Sequence, residues 1–179
     1  MELKDFKELL PEDFEIYKNY TQKFNNSESS IATMYMWQHY ADVKYYAENN
    51  VLYSICQKND GRFYSFMPYG NNRNSQEAVS ALLNLFNDLN SKLTIKNCTN
   101  DFAQFILNNT DFKVNITPIR SSFDYVYKTE DLINLPGKKY HSKKNHINSF
   151  NKKYNYNYVK YNPSMKQLCI EFCKKTLGR

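Results

Sequence analysis

The sequence predicts an α+β protein (α/β in some schemes) with a mixed sheet, in which an antiparallel meander is flanked by helices. Three short runs rich in Val, Ile, Tyr and Phe follow one another with turn residues between them, and segments with helical periodicity stand on both sides. The chain of 179 residues is 41% apolar. That content supports a sizeable core and excludes a disordered or collagen-like chain.

Two helices are predicted ahead of the meander. The Pro-Glu-Asp sequence at 11–13 is typical of a helix start, because Pro is tolerated in the first turn and acids are favoured there by the helix dipole. Aromatic residues then recur at helical spacing: Phe14, Tyr17, Tyr20 and Phe24. After a polar break at 25–30, a second helix begins at Ile31, and we expect its Trp37 to lie in the core.

The meander comprises three predicted strands, Val43–Glu48, Val51–Gln57 and Arg62–Met67. An Asn-Asn pair joins the first two strands, and an Asn-Asp-Gly sequence joins the second to the third. These residue types tolerate the positive φ angles of tight hairpin turns, so the three runs are expected to pair antiparallel.

The clearest element is a long helix after the meander, with apolar residues at helical spacing: Ala78, Ala81, Leu82, Leu85, Phe86 and Leu89. We expect Leu82, Leu85 and Phe86 in the core, and the spacing of Asn74 and Glu77 resembles a capping box. The remaining elements are a strand at Leu93–Asn97, a helix capped by Thr99, and closing strands at Phe112–Thr117 and Phe123–Tyr127.

This order of elements resembles the core order of the GNAT acyltransferase fold without its initial strand. In such folds the loop between the meander and the long helix holds the pyrophosphate of acyl-CoA on backbone amides at a helix N-terminus. The corresponding loop here contains the candidate residues Gly70, Asn71, Asn72 and Arg73. It is not a glycine-rich cradle, so an ordinary connecting loop is the other interpretation.

Charge divides the chain into two predicted domains, 1–135 and 136–179. The first contains 13 Lys and Arg against 17 Asp and Glu, a net charge of −4. The second contains 11 Lys and Arg against Glu171 alone, a net charge of +10. We expect this basic segment to face nucleic acid, phosphate groups, a lipid surface or an acidic face of the same protein. Lys is abundant throughout, however, so simple solvation of the surface remains an alternative.

The basic segment follows a short helix at Thr129 and is predicted to contain a helix, a strand and a second helix. The basic helix covers 138–150, the strand covers Tyr156–Tyr161, and the last helix starts at Asn162. The last helix has a predicted inward stripe: Met165, Leu168, Cys169, Phe172 and Thr176. Because so few elements bury little surface alone, we expect this segment either to dock on the first domain or to belong to a longer chain.

The basic helix places Lys143 in the same sector as its inward residues, which are Tyr140, Ile147, Phe150 and Tyr154. Lysines near a helix start also oppose the helix dipole. Both features are explained if an anion binds there, with Lys143 at the edge of a cleft between the two domains. The alternative is that Lys143 extends from the edge of the core into water.

The cysteines and histidines indicate neither a disulfide framework nor a metal site. Cys56, Cys98, Cys169 and Cys173 fall in apolar patterns, and we expect them to be buried free thiols. The three His do not complete a zinc-ligand spacing. The sequence contains no apolar run of membrane-spanning length and no signal peptide, so a cytoplasmic protein is expected.

Several motifs closely resemble the DUF2156 family, which is related to the C-terminal domain of phosphatidylglycerol lysyltransferases. The most specific motif is the sequence Lys143-Lys144-Asn145-His146-Ile147-Asn148. Further similarity lies in segments 33–40, 67–70 and 124–132, so the resemblance covers nearly the whole chain. The family implies tandem GNAT-like domains and, in its characterised relatives, transfer of an aminoacyl group from aminoacyl-tRNA. The sequence contains the first of these domains and only the opening elements of the second.

The resemblance implies an acyltransferase with an aminoacyl-tRNA or acyl-CoA donor and an amine or hydroxyl acceptor, without a covalently bound cofactor. The expected donor or anion site consists of Lys138, Lys139, Lys143, Lys144, Asn145 and His146. No residue stands out as a catalytic base, and catalysis by this chain alone is not assured. The alternative is a non-catalytic binding module that uses the basic segment on RNA or on anionic membrane lipid.

Overall fold

The structure is a computed structural model that describes residues 1–71, 76–109 and 113–177. The chain forms two compact units, Met1–Tyr125 and Val126–Arg179. The domains 1–135 and 136–179 inferred from charge stay a prediction.

The first unit is built on a six-stranded mixed sheet, and its meander is as predicted. The strands are β1 (Lys7–Glu8), β2 (Val43–Glu48), β3 (Val51–Gln57), β4 (Phe63–Phe66), β5 (Tyr69–Gly70) and β6 (Ile95–Lys96). Their order is β1-β2-β3-β4-β6, with β5 also paired to β3. The pairs β1–β2, β2–β3, β3–β4 and β3–β5 are antiparallel, whereas the pair β4–β6 is parallel. Sequence analysis missed β1, which is an initial strand.

The hairpin turns confirm the sequence argument. Asn49 and Asn50 have φ angles of 51° and 61°, and Gly61 has a φ of 82°. Because short polar side chains and Gly adopt this region at low cost, these residues set the register of the meander. Val51 lies opposite Glu48, and Cys56 lies opposite Val43.

Helices cover both faces of the sheet. They are α1 (Phe14–Thr21), α2 (Ile31–Ala41), α3 (Gln76–Asp88) and α4 (Asn100–Asn109). The α3 residues Leu82, Leu85 and Phe86 are buried against one face, as predicted. Residues from α1, α2 and α4, including Tyr17 and Phe102, are buried against the other face. Strand β3 is therefore apolar on both sides and buried almost throughout.

The prediction that Trp37 lies in the core is wrong, since 54% of this residue is exposed. Among the side chains of α2 that the structure describes, Met34 and Gln38 are buried, and Gln38 Oε1 accepts a hydrogen bond of 3.0 Å from the Leu9 amide. Trp37 lies on another face, where its ring makes an edge contact with Tyr40. Because α2 is apolar on several faces, its periodicity did not identify the buried one.

Three predicted strands are absent from the described part of the chain. Phe112 lies outside the described residues, whereas residues 113–117, 123–127 and 156–161 form no strand. The side chains of Val114, Ile116 and Tyr158 are exposed. Alternating apolar residues form a strand only where a neighbouring strand supplies hydrogen bonds, and no such partner pairs with these segments.

The second unit contains α5 (Thr129–Asn134), α6 (His141–Lys153) and α7 (Lys166–Leu177). A 3-10 turn, Lys138–Tyr140, leads into α6 and completes the predicted basic helix. Tyr140 is buried, but the other residues of the two predicted inward stripes are mostly exposed, including Ile147, Phe150, Leu168 and Phe172. Periodicity identifies an apolar stripe without showing that another surface covers it, so this part of the prediction was wrong.

The cysteines are free, but only Cys56 is buried; Cys98, Cys169 and Cys173 are exposed. The predicted burial is therefore wrong for three of the four, because apolar neighbours in the sequence do not ensure that a residue is covered in the fold. None of the helices in the described ranges is long and apolar enough to cross a membrane. Asn74, of the predicted capping box, lies outside these ranges.

Candidate functional site

A β-bulge interrupts the strand formed by β4 and β5. Ser65 lies opposite Ile55, and Tyr69 lies opposite Leu52, so four steps on one strand oppose three on its partner. The extra residue falls between Phe66 and Tyr69, where β6 pairs with the end of β4. Bulges commonly re-aim side chains next to functional sites.

A cleft of about 350 Å³ opens beside this bulge in the first unit. Its aromatic lining consists of Trp37, Tyr40, Tyr64 and Phe66. One carboxylate, Glu28, and one amine, Lys96, also line it. The cleft thus combines stacking surfaces with one acid and one amine, the composition expected of a site that orients a polar ligand.

Lys96 lies at the end of β6, with its Nζ 3.8 Å from the centroid of the Tyr64 ring. Burial lowers the pKa of this amine, and the nearby positive charge of Lys58 lowers it further. Within the described ranges, no carboxylate lies within ion-pair distance of Lys96. The Tyr64 ring supplies a cation–π contact instead, which leaves the amine free to meet an anion.

Glu28 lies in a 3-10 turn, Ser27–Ser29, ahead of α2. Its partial burial raises the pKa of the carboxyl, and the negative charge of Asp124 raises it further, while a hydrogen bond from Asn97 acts in the opposite direction. A carboxyl with a raised pKa beside a cleft accepts a proton more readily than an ordinary Glu, which suits it to general base catalysis.

Asp124 anchors the segment before the second unit to this turn. Its Oδ2 accepts a hydrogen bond of 3.0 Å from the Ser27 amide. Hydrogen bonds from Ser27 hold the pKa of Asp124 below its ordinary value. Asp124 therefore remains ionised and keeps a negative charge close to Glu28.

The predicted pyrophosphate loop is only partly described. Asn72 and Arg73 lie outside the described residues, Asn71 is exposed, and Gly70 belongs to β5. Gly70 has a φ of 115°, and a Cβ there would overlap the carbonyl oxygen of Asn50. Packing of the backbone against Asn50 is thus sufficient to require Gly70. The role of the loop in holding a pyrophosphate stays a prediction.

The residues of the predicted anion site lie at the start of the second unit. Lys138 and Lys139 are in the 3-10 turn, and Lys143, Lys144, Asn145 and His146 are on α6, all of them exposed. Lys139 Nζ lies 3.4 Å from Asp131 Oδ2. In the described part of the chain, no acid pairs with Lys143 or Lys144. Their binding of an anion stays a prediction.

Lys143 is exposed rather than partly buried, because the stripe to which it was assigned is itself mostly uncovered. Among the described residues, no cluster of His, Cys, Asp and Glu could hold a metal ion.

Sequence reasoning missed Glu28 and Lys96. Glu28 stands in a polar stretch between two helices, and Lys96 alternates with apolar residues in a short strand, as an ordinary surface lysine does. The nearest signals in the sequence are the turn residues before α2 and the strand predicted at Leu93–Asn97. Neither signal shows that the two side chains line one cleft.

A family model described as phosphatidylglycerol lysyltransferase, C-terminal, matches residues 21–177. The fold is similar to the crystal structure of a conserved protein of unknown function from Bacteroides thetaiotaomicron VPI-5482, with a TM-score of 0.77 at 23% sequence identity. The similarity covers 95% of this chain and 58% of that one, so this chain spans little more than half the length of its neighbour. No curated protein matches the sequence.

Proposed function

The chain belongs to the family of the phosphatidylglycerol lysyltransferase C-terminal domain, and we propose that it is an acyl- or aminoacyltransferase with a GNAT-like first unit. The donor is an aminoacyl-tRNA or an acyl-CoA, and the acceptor carries an amine or a hydroxyl. The family match supports a transferase-like role.

The GNAT-like assignment is supported by the order and direction of the strands. Strand β1 provides the initial strand that sequence analysis did not find. The parallel pair of β4 and β6, joined through α3, lies beside the bulge and the cleft. A bulge next to this parallel pair would let the reacting carbonyl of a donor approach the sheet.

The observation that carries the proposal is the presence of Glu28 and Lys96 in one cleft. In our scheme, the acceptor nitrogen or oxygen attacks the donor carbonyl carbon and loses its proton to Glu28. The Lys96 ammonium faces the negative oxygen that forms. The bond from the carbonyl carbon to the leaving oxygen or sulfur then breaks, and Glu28 returns its proton to that atom.

The charge of the basic segment favours aminoacyl-tRNA as the donor. Residues 136–179 carry a net charge of +10, and the lysines of α6 are exposed. A nucleic acid presents many phosphates in a row, whereas CoA presents few, so a broad basic surface gains more from the former. The predicted contacts are Lys143 and Lys144, with Asn145 and His146 as polar neighbours.

The test is a transfer assay with the full chain, aminoacyl-tRNA or acyl-CoA, and a mixture of amine and hydroxyl acceptors. We expect Glu28→Gln to lower the rate by about 100-fold or more, because it removes the proton acceptor. Glu15→Gln is the matched control, since Glu15 is exposed on α1 and does not line the cleft. Equal rates for the wild type and Glu28→Gln would contradict the assigned role.

The exposed lysines of α6 also support a second candidate, a non-catalytic module that binds RNA or anionic lipid. The double variant Lys143→Ala with Lys144→Ala should abolish binding, whether the ligand is RNA or anionic lipid. It should leave thermal stability nearly unchanged, because both side chains are exposed. Affinity that is equal for tRNA and for a generic polyanion, without transfer of any acyl group, would favour the binding module.

A further inference from the structure

A second groove, of about 240 Å³, lies next to the aromatic cleft of the first unit. Four basic residues line it: Lys58, Arg62, Lys92 and Lys96. The groove and the cleft share Tyr64 and Lys96, so they form one continuous surface. This surface belongs to the first unit, whereas the anion site predicted from the sequence belongs to the second.

The lysines of the groove lack compensating acids in the described part of the chain. The Asp60 carboxylate accepts two hydrogen bonds from the Arg62 guanidinium, from Nε at 2.8 Å and from Nη2 at 2.5 Å. No carboxylate lies within ion-pair distance of Lys58, Lys92 or Lys96 in the same ranges. Lys58 is near enough to Lys96 to lower the pKa of its amine. Like charges held together are unfavourable unless an anion joins them.

The groove is positively charged, although the part of the chain that contains it has a negative net charge. Residues 1–135 have a net charge of −4, yet three uncompensated lysines converge on one narrow groove. The hydroxyls of Ser91 and Thr94 also line this groove and provide neutral hydrogen-bond donors. Such a set of donors suits the oxygens of successive phosphates.

The adjoining cleft presents aromatic rings to solvent. Trp37 is 54% exposed and Tyr40 is 81% exposed, with their ring centroids 5.7 Å apart. Rings of this size are normally buried unless they contact a partner. A basic groove that continues onto exposed aromatic rings is the arrangement with which proteins bind single-stranded nucleic acid, because phosphates follow the lysines and bases stack on the rings.

We propose that this surface of the first unit binds single-stranded RNA, with phosphates at Lys58 and Lys92 and a base stacked on Trp37 or Tyr40. The proposal rests on the proposed function in one respect: the RNA is the single-stranded end of an aminoacyl-tRNA donor. The ester at that end would then lie in the cleft that contains Glu28 and Lys96.

Fluorescence anisotropy of a labelled single-stranded oligoribonucleotide with the full chain tests the proposal. Lys58→Ala with Lys92→Ala should weaken binding and lower the slope of log affinity against log salt by about 1.4, since each contact with a single-strand phosphate contributes about 0.7. Trp37→Ala should weaken binding by about tenfold without changing the salt slope, because it removes stacking alone. Lys18→Ala with Lys23→Ala, at exposed lysines outside the groove, is the matched control.

Unchanged binding in both the Lys58/Lys92 and the Trp37 variants would overturn the proposal and place the RNA elsewhere on the chain. Binding to phosphatidylglycerol vesicles that is lost in the same variants, without binding of RNA, would overturn it in favour of a lipid surface. The transfer assay separates this inference from the proposed function. RNA binding without transfer would contradict the proposed function alone, and transfer that is unaffected by these variants would contradict the RNA surface alone.

Discussion

Replacing Gly70 by Ala should destabilise the first unit strongly, and the reason is steric. Gly70 has a φ of 115°, a conformation that side chains rarely adopt. An added Cβ would overlap the carbonyl oxygen of Asn50 and would lie 3.1 Å from Cδ1 of Tyr20. Since Asn50 belongs to the hairpin turn before β3, its carbonyl can retreat only if the pairing of β3 with β5 opens.

Gly61 offers a matched control in the same sheet. Its φ of 82° is also positive, but a Cβ there would meet nothing within 4 Å. Gly61→Ala should therefore cost about 1 kcal/mol, from backbone strain partly offset by the lower entropy of the unfolded chain. Gly70→Ala adds the displacement of Asn50 and should cost about 3 kcal/mol or more.

Thermal unfolding followed by circular dichroism separates the two variants. For a chain of this size, the expected loss of Tm is about 2–4 °C for Gly61→Ala and about 6–12 °C for Gly70→Ala. Equal losses would refute the steric argument. In that event, a role of Gly70 in the predicted pyrophosphate loop would better explain a glycine at this position.

Three further predictions concern charge and burial. Asp13 is buried and accepts hydrogen bonds from Lys7 and the Leu10 amide, and these outweigh the effect of burial and lower its pKa. Asp13→Asn should therefore cost about 1 kcal/mol in urea unfolding at neutral pH, and this loss should disappear as the pH falls through the folded-state pKa. Asp124→Asn removes a charge that raises the pKa of Glu28, so the acid limb of the rate profile should move to lower pH, and an unmoved limb would contradict this coupling. Burial raises the pKa of Cys56 to about 12, so a thiol reagent should label Cys56 only after unfolding, and labelling in the native state would contradict its burial.

The parts of the fold that were predictable depend on neighbours in the sequence. The Asn-Asn turn between β2 and β3 requires positive φ angles, and the stripe of α3 requires only that one face be apolar. Strand β1 offers no comparable signal, because it has two residues, Lys7 and Glu8, whose pairing depends on β2. The absent strand at 123–127 shows the opposite case, an apolar pattern without a pairing partner.

The candidate site could not be predicted in the same way. Its residues come from four separate segments, represented by Glu28, Trp37, Tyr64 and Lys96. None of them differs locally from a surface residue or a core aromatic. They become recognisable as a site only in the folded chain, where the parallel pairing of β4 and β6 brings Lys96 over the ring of Tyr64.

The most direct test of the proposed function is the fluorescence of Trp37 during titration of the full chain with aminoacyl-tRNA. Trp37 is the single tryptophan of the sequence and lines the cleft, so its emission reports on this site alone. If the aminoacyl end enters the cleft, emission should change and saturate in parallel with binding measured by filter retention. Full binding of aminoacyl-tRNA without any change in Trp37 emission would contradict our assignment of the cleft as the site of transfer.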